Sequence, residues 1–291
     1  MKVLVTGARG FLGWRSATLL AERGHEVIAV ARPGSARRGA AEDLEVVALD
    51  AGDPQVRGLL AGCDGVLHFA GVPDPARARD DPAGAVRENA GTTLNLLEGC
   101  EEHGVGLVYP STVRAALDPP PDAYALSKRL GELSCDLHRA PSVTLRLPSV
   151  YGPGQVAWEG ATGAVAIFAA RALQGSPLVI YGNPTRERDF VYVDDVVLAI
   201  ERLISQGRWN EVLSVTSGAA TSLLRAAELV REVVGSDSPI ETPGGDLPPG
   251  EDLSYSPSVA PRLDFQPHSL EEGVRLYVEW LRGHPAAKSS P

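Results

Sequence analysis

The sequence predicts an α/β fold in which a doubly wound parallel sheet is followed by a smaller C-terminal lobe. Over the first half of the 291 residues, short apolar runs alternate with segments of helical period. Short apolar strands separated by helices are typical of a parallel sheet covered on both faces, and right-handed crossovers make that sheet doubly wound. After Tyr151, glycine and proline become frequent and the alternation fades, which indicates a less regular lobe.

Each predicted element has a local basis in the apolar pattern. The predicted strands of the sheet are Val3–Val5, Glu26–Val30, Glu45–Leu49, Gly65–Phe69, Gly106–Tyr109 and Val143–Leu147. The predicted helices between them are Phe11–Arg23, a weak one near Pro54–Leu60, Ala83–His103 and Ala123–His138. Beyond them we predict strands at Leu178–Tyr181 and Val212–Thr216, helices at Ser222–Val234 and Leu270–Arg282, and an irregular loop at Ser236–Ser258.

Composition excludes several classes of protein. With a net charge of −10, the chain has no general attraction for nucleic acid or for an anionic membrane. Three widely spaced cysteines indicate reduced thiols, and six histidines show no metal-ligand spacing, so we expect no metal. The N-terminus is interpreted as a buried strand rather than a signal peptide, and no apolar run approaches membrane-spanning length. These observations predict a cytoplasmic protein.

A glycine motif opens the first predicted helix, directly after the first strand. It runs Thr6-Gly7-Ala8-Arg9-Gly10-Phe11-Leu12-Gly13. Gly7 permits the tight turn, Gly10 lets the backbone approach a pyrophosphate, and Gly13 allows close packing of the helix. The free N–H groups of the helix N-terminus then face the phosphates. This context favours dinucleotide binding over a purely structural turn.

A tyrosine and a lysine, Tyr124 and Lys128, stand four positions apart in a predicted helix. Residues i and i+4 lie on one helix face, so the ammonium is expected beside the phenol, where it would lower the phenol's pKa. The pair is then suited to general acid/base work. The alternative is a surface pair on an amphipathic helix.

With both motifs in place, the chain resembles the extended short-chain dehydrogenase/reductase family of the nucleotide-sugar epimerase/dehydratase type, over nearly its whole length. The fold implied is a Rossmann-type doubly wound sheet: a dinucleotide-binding domain over 1–150, to which 183–217 returns, a substrate lobe over 151–182 and 218–285, and a tail over 286–291. The further segments that carry the resemblance are Asp50–Asp53, His68–Gly71, Asn89–Thr93, Leu145–Pro153, Arg188–Val196 and Val215–Gly218.

The resemblance implies roles for individual residues. Tyr124 would be the general acid/base, Lys128 would tune it and bond the nicotinamide ribose, and a hydroxyl after the fifth strand would bond the substrate oxygen. That hydroxyl aligns on Thr112, with Ser111 as the alternative. The implied cofactor-binding residues are Gly7, Arg9, Gly10, Phe11, Leu12, Gly13, Arg32, Asp50, Ala51, Phe69, Ala70, Gly71, Asn89, Tyr124, Lys128, Pro148 and Val150.

The chain also departs from the family pattern. Val113 and Arg114 stand where the sugar dehydratases carry an Asp-Glu pair, so dehydration is not expected. Ser149 replaces an asparagine that often binds substrate, and the late Arg-Pro-Gly-Asp motif has lost its arginine. Arg188 remains as a candidate phosphate clamp, unless it is paired to a neighbouring aspartate.

Four functions stay open at this point. The leading prediction is a ketoreductase of a nucleotide-linked sugar, and a nucleotide-sugar epimerase would use the same hydride step. A reductase of a non-sugar carbonyl and a non-catalytic cofactor-binding protein are the other two. By resemblance we also expect a homodimer, paired through the helices at Ala83–His103 and Ala123–His138.

The end of the second strand predicts the choice of cofactor. NAD-preferring members place an aspartate there, and here the position is Ala31, with Arg32 next and with Arg37 and Arg38 in the following loop. A guanidinium would accept a 2′-phosphate, so NADP(H) is favoured over NAD(H), and net reduction over epimerisation. The alternative is that these arginines are solvated loop residues.

Overall fold

The structure is a computed structural model that describes residues 1–35, 44–157, 163–255, 263 and 265–284. Arg37, Arg38 and the predicted tail over 286–291 lie outside the described residues. The strands are β1 (Lys2–Thr6), β2 (Glu26–Ala31), β3 (Val47–Ala48), β4 (Gly65–His68), β5 (Gly106–Thr112), β6 (Ser142–Leu147), β7 (Ser149–Tyr151), β8 (Leu178–Tyr181), β9 (Glu187–Tyr192), β10 (Glu211–Ser214), β11 (Ala220–Ser222) and β12 (Ile240–Gly244). The α-helices are α1 (Phe11–Glu22), α2 (Pro75–Asp80), α3 (Pro82–Val86), α4 (Thr92–His103), α5 (Ala123–Leu137), α6 (Ala164–Leu173), α7 (Val193–Ser205), α8 (Leu223–Val234) and α9 (Leu270–Gly283).

The main sheet has seven strands in the order β10-β6-β5-β4-β1-β2-β3, and every pairing in it is parallel. Strand order runs outward in opposite directions from β1 and β4, so the switch point of the sheet lies between those two strands. In such sheets, ligands bind in the crevice at the carboxyl ends of the strands around the switch point. The doubly wound fold predicted from the sequence is confirmed.

Buried apolar side chains form several clusters among the described residues, and two of these clusters have the most members. The first lies within the main sheet and its helices, and α7 contributes Val196, Val197 and Ile200 to it. The second is built from α6, α8, α9 and strands β7 to β9, with Phe168 and Tyr277 among its buried aromatic side chains. Burying such side chains contributes roughly 1.5–3 kcal/mol each to folding, so both cores are substantial. A three-stranded sheet, β11-β9-β7, lies beside the second core.

Three local predictions from the sequence are corrected by the structure. The helix predicted over Ala83–His103 is divided by a π-helical turn at Arg87–Gly91, where the buried Asn89 side chain bonds to neighbouring segments. Pro54–Leu60 forms a 3-10 helix. The segment predicted as an irregular loop contains β12, because a distant partner, β8, supplies its hydrogen bonds.

Candidate active site

The glycine motif forms a tight cradle between β1 and α1. Gly7 has a φ of +67°, and a Cβ there would stand 2.6 Å from the carbonyl carbon of Phe69. A Cβ on Gly13 would stand 2.2 Å from the Gly7 carbonyl oxygen. No side chain caps the N-terminus of α1, and its first turn carries no acidic residue. A helix end of this kind fits the pyrophosphate of a dinucleotide.

The adenosine end of such a ligand would lie at the end of β2. Ala31 closes that strand and is buried, whereas Arg32 is exposed and stands 3.8 Å from the Glu88 carboxylate. The Arg9 guanidinium donates to the Ser35 carbonyl oxygen at 2.9 Å and thereby holds the turn that follows Arg32. Further along the crevice, the Asp50 carboxylate accepts the Gly52 N–H at 2.8 Å, and Ala51 is buried. These predicted cofactor residues lie along one edge of the sheet.

Hydrogen bonds from the Asn89 side chain hold the loop that follows β4. The Asn89 side-chain oxygen accepts the Val72 N–H at 2.8 Å, and its amide donates to Ser127 Oγ at 2.8 Å. Gly71, with a φ of +140°, passes so close to Asn89 that a Cβ would collide with its side-chain oxygen. Asn89 therefore positions the segment Phe69–Gly71, which was predicted to line the cofactor.

His68, at the C-terminal end of β4, is enclosed by the protein. It is buried, with its ring nitrogens 2.9 Å from Thr6 Oγ1 and 3.3 Å from Thr92 Oγ1. Burial lowers the pKa of His68 to about 3, so the ring is neutral.

Tyr124 and Lys128 stand on α5, but Lys128 does not act on the phenol as predicted. The Lys128 ammonium donates to the Pro110 carbonyl oxygen at 2.9 Å and lies 5.0 Å from the centre of the Tyr109 ring. Burial raises the pKa of Tyr124 to about 12, and the cation that opposes this rise is Arg114. Burial also lowers the pKa of Lys128 to about 8. The expected lowering of the Tyr124 pKa by Lys128 is therefore wrong for this geometry.

The two candidate hydroxyls at the end of β5 have different surroundings. The Ser111 hydroxyl is buried and donates to Glu132, which also accepts two bonds from Arg146 at 3.0 and 2.7 Å. Thr112 instead faces a pocket, and its only described partner is the Arg114 N–H at 3.3 Å. Between the two, Thr112 is the hydroxyl available to a ligand.

A pocket of about 100 Å³ opens at the carboxyl ends of β5 and β6. It is lined by Thr112, Val113, Arg114, Pro148, Ser149, Arg188, Asp189 and Tyr255. One lining residue, Arg114, is ion-paired with Asp122, the N-cap of α5, two residues before Tyr124. The pocket therefore joins the predicted substrate residues Ser149 and Arg188 to Thr112 and to the start of the helix that carries Tyr124.

Arg188 lines the pocket, and its positive charge could act on an anionic ligand. Its guanidinium donates to the carbonyl oxygens of Glu251, Leu253 and Glu187, at 2.8, 2.5 and 2.8 Å respectively. The Asp189 carboxylate accepts hydrogen bonds from the hydroxyls of Thr216 and Ser217, and the Asp195 carboxylate is bonded to the His268 ring. Neither carboxylate pairs with Arg188. Among the described residues, no carboxylate forms a salt bridge with Arg188. Burial lowers the pKa of Arg188 to about 10, and an anionic ligand would favour its charged form.

The same features appear in known proteins. A family model described as "NAD dependent epimerase/dehydratase family" matches residues 3–215. The chain belongs to this epimerase/dehydratase family. Its match covers β1 through β10 and thus includes the glycine cradle, Thr112, Tyr124 and Arg188.

Relatives within the family match along the whole chain. A dTDP-4-dehydro-6-deoxy-D-allose reductase from Streptomyces is 30% identical over 97% of this chain and 96% of its own. A UDP-glucose 4-epimerase from Mycolicibacterium smegmatis is also 30% identical, over 97% and 99%. Among solved structures, the UDP-glucose 4-epimerase of Thermotoga maritima with UDP-glucose has a TM-score of 0.82 at 29% identity, covering 97% of this chain and 99% of that one.

Sequence reasoning missed two members of the site in this family member. Tyr255 comes from the predicted loop and packs its ring between two guanidinium groups, with Arg188 4.8 Å and Arg114 5.4 Å from the ring centre. Arg114 was noticed only as a departure from the family pattern. No local pattern links residue 255 to the end of β5, so only the tertiary contact reveals this cluster.

Neither a metal site nor a membrane span is found in the described part of this family member. No group of three or more His, Cys, Asp or Glu side chains in these ranges is arranged to hold a metal ion. None of the helices seen there is both long and apolar enough to cross a membrane.

Proposed function

We propose that the enzyme is an NADP(H)-dependent ketoreductase that acts on a nucleotide-linked sugar. The observation that carries this proposal is that Thr112, Ser149 and Arg188 line one pocket at the carboxyl edge of the sheet, and that Arg114 in the same lining is ion-paired with the N-cap of the helix that carries Tyr124. The glycine cradle lies at the same edge, where the fold class binds dinucleotides. The names of the relatives support both a nucleotide sugar and a reduction.

In this proposal, each side chain has one task. When bound, the nicotinamide supplies the hydride. Tyr124 delivers a proton to the oxygen of the substrate ketone, and the Thr112 hydroxyl bonds to the same oxygen and fixes its direction. Lys128 holds the ribose of the cofactor, and its pKa near 8 leaves it mostly protonated at neutral pH. Ser149 contacts the sugar from the opposite wall of the pocket.

The nucleotide end of the substrate would extend toward the second apolar core. We assign residues 1–150 and 183–217 to the dinucleotide-binding domain, and 151–182 with 218–285 to the substrate lobe. Arg188 would act as the clamp for a phosphate, because its side chain is half-buried and its described hydrogen bonds all go to carbonyl oxygens rather than to a carboxylate. Buried, unpaired thiols at Cys63, Cys100 and Cys135 support a reducing compartment such as the cytoplasm.

Epimerisation is the second candidate, because UDP-glucose 4-epimerases match this chain closely. One experiment separates the two. Purified enzyme is given dTDP-4-dehydro-6-deoxy-D-allose with NADPH, and separately UDP-glucose with NAD. We expect NADPH consumption, followed at 340 nm, in the first mixture and no UDP-galactose in the second. Conversion of UDP-glucose without net cofactor consumption would reverse the assignment, and inactivity with both would refute a nucleotide-sugar substrate of either class.

We expect Arg32→Ala to raise the Michaelis constant for NADPH about tenfold while leaving that for NADH nearly unchanged. The reason is that Arg32 stands beside Ala31, where a 2′-phosphate would meet the guanidinium instead of a carboxylate. The measurement is steady-state kinetics with both cofactors.

Glu88→Gln is the matched control for this prediction, because Glu88 is the carboxylate that stands 3.8 Å from Arg32. Freed from Glu88, Arg32 should bind the phosphate more tightly and lower the NADPH constant. If the purified wild-type enzyme binds NAD as tightly as NADP, the preference is wrong and epimerisation moves ahead.

We further propose a homodimer built on α4 and α5. Leu126, Leu133 and Leu137 form one apolar stripe along α5 and are 45%, 48% and 84% exposed, and Leu94 on α4 is 44% exposed. Exposed leucines at helical spacing are typical of a surface that pairs with another helix.

Leu133→Glu is expected to convert the dimer into a monomer, because it places a charge in the centre of that stripe. Light scattering at micromolar concentration measures the mass. Leu276→Glu serves as the control, since Leu276 is comparably exposed, at 41%, but lies on α9. A monomeric wild-type protein would contradict the proposal.

A further inference from the structure

Arg114 occupies a central place in the pocket that the family pattern does not explain. It lies in the 3-10 turn Val113–Ala116, directly after β5. Its backbone N–H donates to the hydroxyl oxygen of Thr112, the candidate catalytic hydroxyl. Its guanidinium forms an ion pair with Asp122, and both side chains are 13% exposed. Its Nε is buried and has no hydrogen-bond partner, so the charge is only partly satisfied in the protein.

The partner of Arg114 begins the helix that carries Tyr124. Asp122 is the N-cap of α5: one carboxylate oxygen accepts the Ala125 N–H at 2.8 Å, and the other accepts the Arg114 guanidinium. Tyr124 is two residues further along. An N-cap stabilises its helix and sets where the first turn begins. Arg114 therefore acts on the first turn of α5 through the cap.

The other face of Arg114 supports the loop that covers the pocket. The guanidinium lies 5.4 Å from the centre of the Tyr255 ring, and a Cβ on Gly250 would stand 2.7 Å from its Nη2. The Tyr255 hydroxyl donates to the Gly250 carbonyl oxygen at 2.5 Å, which closes residues 250–255 over the guanidinium. Arg114 thus contacts Thr112 through its backbone N–H, and the start of α5 and the covering loop through its side chain.

We propose that Arg114 is a positioning residue that couples the covering loop at 250–255 to the proton-donating end of α5. This inference rests on the proposed role of Tyr124. Because Lys128 is turned toward Pro110, Arg114 is also the cation that acts on the phenol in this structure. The other ionisable groups around the phenol are Asp74 from the N-cap of α2 and Tyr109 from β5.

The test compares Arg114→Gln with Arg114→Lys in the reduction of dTDP-4-dehydro-6-deoxy-D-allose by NADPH at neutral pH. The Tyr124 phenol, with its pKa of about 12, is protonated there. Removing a nearby cation raises that pKa further and makes the phenol a weaker proton donor. The kcat of Arg114→Gln should therefore fall about tenfold or more, since the donor is both weaker and misplaced, while the Michaelis constant for NADPH should stay near that of the wild type.

Arg114→Lys keeps the charge but loses the planar fork, so its kcat should lie between those of Arg114→Gln and the wild type. Arg79→Gln is the matched control: Arg79 bonds Glu251 of the same loop at 3.4 Å but contacts neither Asp122 nor Tyr255. It should leave both kcat and the Michaelis constant for NADPH unchanged. A wild-type kcat in Arg114→Gln would overturn the inference.

Hydrogen–deuterium exchange in the free protein separates this inference from the proposed function. Arg114→Gln should speed exchange in residues 119–126 and 247–255 together, whereas Tyr124→Phe should change neither. If Tyr124→Phe keeps full turnover, the role of Tyr124 fails, and the exchange result alone then decides whether Arg114 couples the two segments. Unchanged exchange in Arg114→Gln would overturn the coupling.

Discussion

Replacing Tyr124 with phenylalanine is expected to cut turnover about 10²–10⁴-fold, because only the proton-transferring hydroxyl is lost. The ring itself packs with Val72, Ala78 and Ala85, and phenylalanine keeps those contacts. The glycine cradle is untouched, so affinity for NADPH, measured by fluorescence titration, should stay close to that of the wild type. The measurement of turnover is kcat in the NADPH assay.

Tyr181→Phe is the matched control for this variant. Tyr181 is 59% exposed at the end of β8, and removing its hydroxyl tests whether loss of a phenol anywhere affects the rate. The control should behave like the wild type. Full activity in Tyr124→Phe would remove Tyr124 from the mechanism, whereas joint loss of activity and of cofactor binding would show a structural defect instead.

Thr112→Val should lower kcat on the order of 10²-fold, while Ser111→Ala should have a much smaller effect on turnover. Valine keeps the shape of threonine but cannot bond the substrate oxygen. Ser111 instead donates to Glu132, which keeps its two bonds from Arg146 when the serine is removed. Ser111→Ala should therefore mainly lower stability, by about 1 kcal/mol.

Steady-state kinetics and thermal denaturation of both variants check this pair of expectations. The two residues are adjacent on β5, so each variant is the natural control for the other. Retained turnover in Thr112→Val together with its loss in Ser111→Ala would show that the serine is the working hydroxyl, and that the alignment on the family is off by one position.

Local sequence patterns predicted the architecture of the main parallel sheet. The apolar runs of β1, β2, β4, β5 and β6 are short and bounded by turns, and all five strands form close to where the pattern predicts them. The glycine motif is equally local: a Cβ at Gly13 would collide with the Gly7 carbonyl, six residues away. Contacts between near neighbours in the chain leave a readable signature in spacing and residue type.

Other features depended on partners far away in the chain. The strand β12 lies in a stretch rich in Pro, Gly and Asp and forms only because β8 pairs with it. The expectation that Lys128 would lower the pKa of Tyr124 followed from helical spacing, but spacing does not fix where a long side chain ends. The Pro110 carbonyl oxygen, 18 positions earlier, takes the ammonium instead.

From the sequence by itself follow the doubly wound sheet, the nucleotide cradle and the candidates Tyr124, Lys128 and Thr112, because each depends on residues within one turn or one strand. The tertiary structure alone decided that Ser111 is engaged with Glu132, that Arg188 has no carboxylate partner among the described residues, and that Arg114 and Tyr255 close the pocket. Ser111 and Glu132 are 21 positions apart, and the bonds from Arg188 to Glu251 and Leu253 span 63 and 65 positions. Burial and charge at such a junction are set by how the elements pack, and no local pattern of residues encodes them.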